Sequence, residues 1–254
     1  SYSVSSQVNT PKYDPLNEDL LLKDVLQAAE TQAEKDSIRN YSQTLRNYRS
    51  FTVSNAKLNL KSKTPLPIDP ANFSFNYSFN ETFERDATTE YEVTRNYQAG
   101  MSYGYSSPLK AFEPFAKSSA EWLKSPWMKT IKDFSLTYIP NSITFGTNLN
   151  RYYYELQNRD LSSVASNVSS IIPLTFSKNF MWNSDFNLNW NLTRNMKFNF
   201  TTNNSARVEE TLNTPVNKEL YPTEYQNWKD TVMTSLLSLG TPMAYQQNLK
   251  YTWQ

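Results

Sequence analysis

The 254-residue chain has no cysteine and no histidine. Without cysteine it forms no disulfide and offers no thiolate to a metal, a usage that suits an exported bacterial protein. Without histidine it lacks the usual general base, the commonest zinc ligand and the Ser-His-Asp route to a nucleophile. Neither sign of charge prevails, with 25 basic residues against 24 acidic, so no electrostatic footprint for nucleic acid or an anionic surface is present. No apolar run reaches the roughly 18 residues that mark a transmembrane helix. That does not exclude a membrane protein, because a closed β-barrel also satisfies every backbone group inside lipid.

Aromatic residues are abundant at 15%, with 17 Tyr and 14 Phe, yet mean hydropathy is −0.67. Apolar side chains are therefore diluted by polar ones rather than gathered in runs, as alternating strands require. The clearest stretch is 72–80, where Phe73, Phe75, Tyr77 and Phe79 alternate with Asn72, Ser74, Asn76, Ser78 and Asn80. Successive side chains of a strand point to opposite faces, so one face is wholly aromatic and the other small and polar. A helix would scatter the same aromatics around its circumference.

The pattern recurs along the chain. Residues 1–16 are polar and proline-punctuated and read as a linker. Asn17 to Arg39 reads as a helix, with Asn17 as N-cap and Glu18 and Asp19 complementing the dipole. From Phe51 the period becomes 2, with a phase slip near Asn55 that marks a bulge. Tyr97, Ala99, Met101, Tyr103 and Tyr105 alternate with small polar residues and glycine. Residues 107–132 break the pattern with two helix starts, at Ser118 with Glu121 and at Ser125-Pro126. Residues 133–139 and 142–155 then read as a hairpin about Pro140-Asn141, and 157–172 as a loop. Three strands follow in quick succession: one over 174–182, one through Phe186, Leu188, Trp190 and Leu192, and one through Met196, Phe198 and Phe200. Turns are placed at Asn183-Ser184 and Thr193–Asn195. Tyr225, Trp228, Val232, Leu236 and Leu239 step as an amphipathic helix closed by Gly240, packed on the wall or lumen of a barrel. Tyr245, Leu249, Tyr251 and Trp253 open a last strand. Strands of about 9–12 residues exceed the 5–6 of ordinary globular strands and approach the 9–11 that a tilted strand needs to cross hydrocarbon.

No catalytic constellation emerges, and the chain is read as non-enzymatic and without cofactor or metal. Eight Asn-x-Ser/Thr triplets occur, and five begin on the alternating strand faces, where Asn, Ser and Thr are polar filler. As a barrel wall, the lipid-facing candidates are Phe73, Phe75, Tyr77, Phe79, Tyr103, Phe186, Leu188, Trp190, Phe198 and Phe200. The lumen-facing candidates are Asn72, Ser74, Asn76, Ser78, Asn187, Asn189, Asn191 and Asn199. Arg151 and Lys178 fall on the apolar phase and fit there only near an interface or by snorkelling. A soluble sandwich would alternate in the same way, since each of its sheets buries one face.

Several runs resemble, in order, the SprA/Sov family of outer-membrane translocons of the type IX secretion system. They are Phe51–Asn55, Asp69–Thr82, Glu113–Phe115, Lys132–Phe145 with Asn150-Arg151, Thr175–Phe180, Leu188–Arg194, Tyr225–Val232 and Leu239–Pro242. The resemblance covers about residues 50–254. It implies a very large single-chain barrel, of which this chain would be an internal fragment and an arc. It also implies passage of folded cargo proteins, a PorV-like barrel subunit at a lateral opening, periplasmic plug proteins, an energising motor complex and, in some relatives, gliding motility. The expected fold is all-β, an antiparallel transmembrane β-barrel segment with a few short helices in loops. Residues 1–49 would be a linker and helix, periplasmic or lumenal. Residues 50–254 would be the barrel segment, with helical insertions at about 107–132 and 218–240. The expected setting is the bacterial outer membrane at the cell surface, with outer-membrane lipid as a partner and no nucleic acid. The alternatives are an ordinary porin or receptor barrel, or a soluble cell-surface β-sandwich that binds glycans.

Overall fold

The computed structural model describes residues 1–58, 60, 66–107, 111–115, 134–161, 172–211, 215–216, 218–219 and 221–253. Its main body is one antiparallel sheet of eight strands. In spatial order these are β1 (Tyr2–Asn9), β4 (Thr44–Ala56), β5 (Phe73–Arg85), β6 (Thr89–Ser106), β7 (Ser142–Asn158), β8 (Thr175–Asn191), β9 (Met196–Arg207) and β10 (Thr241–Trp253). From β4 onward each strand pairs with the next in sequence. A small ribbon of β2 (Tyr13–Asp14) and β3 (Asn17–Leu21), with helices α1 (Leu22–Ala28) and α2 (Gln32–Ser42), fills the excursion between β1 and β4. A third helix, α3 (Pro222–Leu237), lies between β9 and β10.

The protein is thus mostly antiparallel β with a few short helices. The sheet does not close on itself: among the described residues β1 pairs only with β4, and β10 only with β9. No second large sheet packs on either face among the described residues. The largest fully buried side chains, Leu22, Tyr153 and Val208, lie under local covers rather than in one core.

Several elements differ from the sequence reading. The stretch read as a linker contains β1, because Tyr2, Val4 and Val8 alternate weakly and find a partner in the start of β4. That start is itself seven residues earlier than the expected Phe51, so residues 1–49 are not separate from the sheet. The single helix over 17–39 is instead β3 followed by two helices. Asn17 does not cap a helix; its Oδ1 accepts the N–H of Asp19 at 3.1 Å. The break before α2 is made by Thr31, whose side chain accepts the Glu34 N–H while Glu34 accepts the Thr31 N–H. This capping box satisfies two of the donors that a helix start leaves open.

The expected turn at Asn183-Ser184 is absent, and β8 runs unbroken for 17 residues. Trp182, Ser184 and Phe186 keep one alternation through the site. A tight hairpin turn would also need positive φ, which among the described non-glycine residues only Asn55 and Leu239 adopt. The segment Phe134–Ile139 is not the first arm of a hairpin but makes an isolated bridge, Leu136 to Phe112. The bulge at Asn55 is present: the register shifts between Val53 and Ala56, and Asn55 sits at φ 53°. Its N–H is held by Asn76 Oδ1 at 2.7 Å. Both helix starts expected within 107–132 fall on Ser118–Pro126, outside the described residues.

Candidate functional site

The register assigns every strand residue to one of two faces. Phe73 pairs with Tyr103, Tyr103 with Phe145, Phe145 with Phe186, and Phe186 with Thr202. On the adjacent row Leu188 pairs with Phe200 and Phe200 with Leu249. On the other flank Phe79 pairs with Phe51, and Phe51 with Tyr2. All ten residues named as lipid-facing candidates, Phe73, Phe75, Tyr77, Phe79, Tyr103, Phe186, Leu188, Trp190, Phe198 and Phe200, therefore share one face of the eight-stranded sheet. Seven of the eight lumen-facing candidates, Ser74, Asn76, Ser78, Asn187, Asn189, Asn191 and Asn199, share the other.

Asn72 is the exception. It ends a short 3₁₀ turn before β5, and its Nδ2 donates to the carbonyls of Leu66 at 2.8 Å and Pro67 at 3.2 Å. The alternation that seemed to include it starts one residue later, because a residue that closes a turn has no strand neighbour.

The polar face is laced by neutral cross-strand hydrogen bonds. Ser74 and Ser102 hydroxyls meet at 2.5 Å, Tyr48 Oη donates to Asn80 Oδ1 at 3.0 Å, and Asn189 Nδ2 donates to Ser142 Oγ at 3.0 Å. Ser205 donates to Asn183 Oδ1 at 2.8 Å. Gly100 and Gly146 stand opposite Asn148 and Asp185, and the missing Cβ lets those side chains lie across the backbone. Charges on this face collect near strand ends, as in the exposed Arg46–Glu84 pair. Asp185 is the carboxylate nearest its centre.

The apolar face divides into zones. In the middle Phe75 and Tyr77 are exposed, and Phe51–Tyr77, Phe73–Tyr103, Phe79–Tyr97 and Phe186–Phe200 ring pairs tile the surface at 4.9–6.1 Å. Such contacts bind neighbouring strands without needing a second layer. At one rim, loops cover the band: Tyr103 Oη donates to Pro67 O at 2.6 Å, and Trp190 Nε1 to Thr137 O at 2.7 Å. These two candidates are anchored at a boundary rather than free at mid-face.

At the other rim the face turns ionic and is roofed by α3 and the segment leading to it. Arg151, in the middle of β7, keeps only 11% of its side chain exposed there. Its Nε donates to Glu210 Oε1 at 2.9 Å, and Trp228 Nε1 donates to the same oxygen at 2.6 Å. The guanidinium stacks on Trp228, Tyr97 and Tyr153 at 4.8–5.6 Å from their centroids. Beside it Glu81 lies between Arg95 at 2.8 Å and Arg49 at 3.7 Å. Glu155, buried, accepts the hydroxyls of Tyr91 at 2.8 Å and Tyr153 at 2.5 Å. Lys178 Nζ donates to Thr211 O at 2.9 Å. The apolar phase carries this cation at mid-strand where the chain folds back to cover it. The phase is right there, and its surroundings are protein.

No protein-family model matches the chain, and no curated protein matches it either. No helix among the described residues is long and apolar enough to cross a membrane, which says nothing of strands. Among the described residues no three carboxylates gather as a metal site.

Sequence reasoning missed Arg95, Glu81, Glu210 and Trp228 as one cluster. Trp228 was visible in the helical stripe, and Arg151 as a charge out of phase. Glu210 carried no signal, since only the return of the chain over β7 brings it to Arg151. The stripe itself is used in part: Tyr225 and Trp228 face the sheet, whereas Leu239 lies beyond the helix at φ 63° and is exposed.

Proposed function

We propose that the chain is a wall segment of an outer-membrane protein-export pore of the type IX kind, with no enzymatic role. The bare aromatic band meets lipid, and the Asn/Ser/Thr face lines a wet conduit for folded cargo. A neutral ladder of side chains that already satisfy one another gives passing proteins little charge to adhere to. A PorV-like subunit and periplasmic plug proteins would be its partners, as the SprA/Sov resemblance implies.

The observation that supports this reading best is a single large sheet, apolar on one face and polar on the other. Its middle carries no second layer on either face among the described residues. A soluble sandwich needs a second sheet to bury its apolar face. The band also approaches a suitable height. Trp182 to Trp190 spans eight residue steps, about 26 Å along a strand, which a tilt of about 40° projects to about 20 Å, against the roughly 25 Å of an outer-membrane apolar girdle. Two edges left unpaired among the described residues are an aggregation hazard in a free domain and the means of continuation in a wall.

The test is charge placement. Phe75→Arg and Tyr77→Arg should each cost about 2–4 kcal/mol at mid-membrane and lower the detergent-extractable, membrane-assembled fraction. Ser78→Arg, on the opposite face of the same strand, should assemble normally. Equal loss from both faces, or a chain that stays soluble without detergent, would rule the reading out.

A further inference from the structure

The extended segment 134–138 lies at the Trp190 end of the band with its two sides reversed from what water would favour. Ser135 and Thr137 are turned inward and keep only 4% and 8% of their surface, whereas Phe134 is exposed and Tyr138 is 66% exposed. The inward side is held by polar contacts to the end of β8 and the turn after it. The Thr137 N–H donates to the Leu192 carbonyl at 2.9 Å, and its own carbonyl accepts Trp190 Nε1 at 2.7 Å. Ser135 Oγ accepts the Arg194 N–H at 2.9 Å. Phe112 joins the outer side. It exchanges both backbone hydrogen bonds with Leu136 at 2.8 Å, and residues paired in that way project to the same side. Phe112 is itself 58% exposed.

Two arguments identify what this outer side meets. A two-faced segment laid on an apolar surface in water turns its apolar side down, because removing apolar area from water is favourable. Here the polar side is down, and Phe112, Phe134, Leu136 and Tyr138 point away from the band. That order suits an apolar outer medium. The second argument is height. The band from Trp182 to Trp190 projects to about 20 Å, short of a girdle of roughly 25 Å. Thr137 is tied to Leu192, two residues past Trp190, which adds about 7 Å along the strand and about 5 Å of height at the same tilt. The outer side therefore stands at the level where the band falls short. Two residues farther along, Arg194 pairs with Glu113 at 3.5 Å, both exposed, so charge resumes there.

We infer that 134–138 with Phe112 is a strap that completes the membrane-facing surface at this rim, and that its partner is lipid at the boundary of hydrocarbon and headgroup. Phe112, Phe134 and Leu136 meet acyl chain. Tyr138 sets its ring against hydrocarbon and its hydroxyl among the headgroups, as amphipathic rings do at such boundaries. The inference rests on the barrel-wall reading and extends it, since it gives lipid contact to a segment outside the eight-stranded sheet.

The chain has no native cysteine, so single nitroxide labels can be placed cleanly. Power-saturation electron paramagnetic resonance of the full chain in phosphatidylcholine vesicles tests the strap, with oxygen as the apolar relaxant and a nickel chelate as the polar one. Labels at Phe112→Cys and Tyr138→Cys should be relaxed more by oxygen than by nickel. Their oxygen-to-nickel ratio should lie below that of Phe75→Cys at mid-band, and Ser78→Cys on the polar face should show the reverse preference. Both strap positions replace exposed side chains, so the two variants should fold as the parent does. If Phe75→Cys reports lipid while both strap labels respond mainly to nickel, the strap faces water and this inference alone fails. Low access to both relaxants would overturn it by showing that protein covers the patch, and a ratio equal to that at Phe75 would overturn the boundary placement. If Phe75→Cys itself responds mainly to nickel, or the chain stays soluble without lipid, the barrel-wall reading fails and the strap with it.

Discussion

Arg151 is held by partners that sequence distance conceals. Glu210 lies 59 residues away and Trp228 farther still, yet both contact its guanidinium. Taking two charges out of water is costly, and their attraction offsets this only while both are present. Arg151→Met should therefore destabilise by about 3–5 kcal/mol, because it leaves Glu210 buried and uncompensated. Adding Glu210→Met should recover most of that loss, since an apolar pair of similar volume suits the site. Urea unfolding in detergent checks both, and a double variant no better than the single would show that packing, not charge, dominates. Gly240 is determined in a different way. It sits at φ +71°, and a Cβ there would stand 2.8 Å from the Arg207 carbonyl oxygen. Gly240→Ala should cost at least about 1–2 kcal/mol, the ordinary penalty of a left-handed non-glycine residue. Faster amide exchange at the end of α3 would report it, and unchanged exchange would contradict it.

At the scale of elements, what was legible depended on the strength of the period. β5 was plain because aromatic and Asn/Ser positions alternate without a fault. β1 was hidden, since Ser6 interrupts a face that carries only Tyr2, Val4 and Val8. The break between α1 and α2 was readable in retrospect from Thr31 and Glu34 at capping-box spacing, but the alanines around it favour one longer helix. The N-terminal excursion also has its own pH response. Burial, then the charge of Asp14 and a hydrogen bond to it, raises the Tyr41 pKa from 10.0 to about 12. The protonated phenol is the form the fold favours. Its contribution is complete below pH 10 and is lost as pH rises through about 12. α1 and α2 should therefore loosen over that window, visible as loss of helical circular dichroism, and Tyr41→Phe should abolish this step. A step of the same size in the Phe variant would place its origin elsewhere.

For the whole molecule the decisive feature is a sheet whose two edges are unpaired among the described residues. β1 and β10 run antiparallel to each other by strand count, so they have the right polarity to pair in an eight-stranded barrel. The wall reading expects them not to. The absence of native cysteine makes this directly testable. With cysteine at Ser5 and, in turn, at Gln246, Asn248 or Lys250, all on the polar face, oxidation should give no intramolecular disulfide. A disulfide at any of these positions would mean that the chain closes by itself, as a small barrel.

The sequence alone determined the two-faced strands, the bulge at Asn55 and the closure of α3 at Gly240. These rest on local physics: the period of side-chain direction, the phase of that period and the conformations open to Asn and Gly. Tertiary structure decided that all the aromatic rows share one face and that β8 is a single strand. It also decided that part of the apolar face is roofed around Arg151, and that Asn72 serves a turn. These depend on register and on the return of distant chain, and pairing across 59 residues leaves no trace in the spacing of neighbours. The stretch over 72–80 belongs to both accounts. Its alternation was local, whereas its place in an unbroken aromatic band was set by the strands on either side.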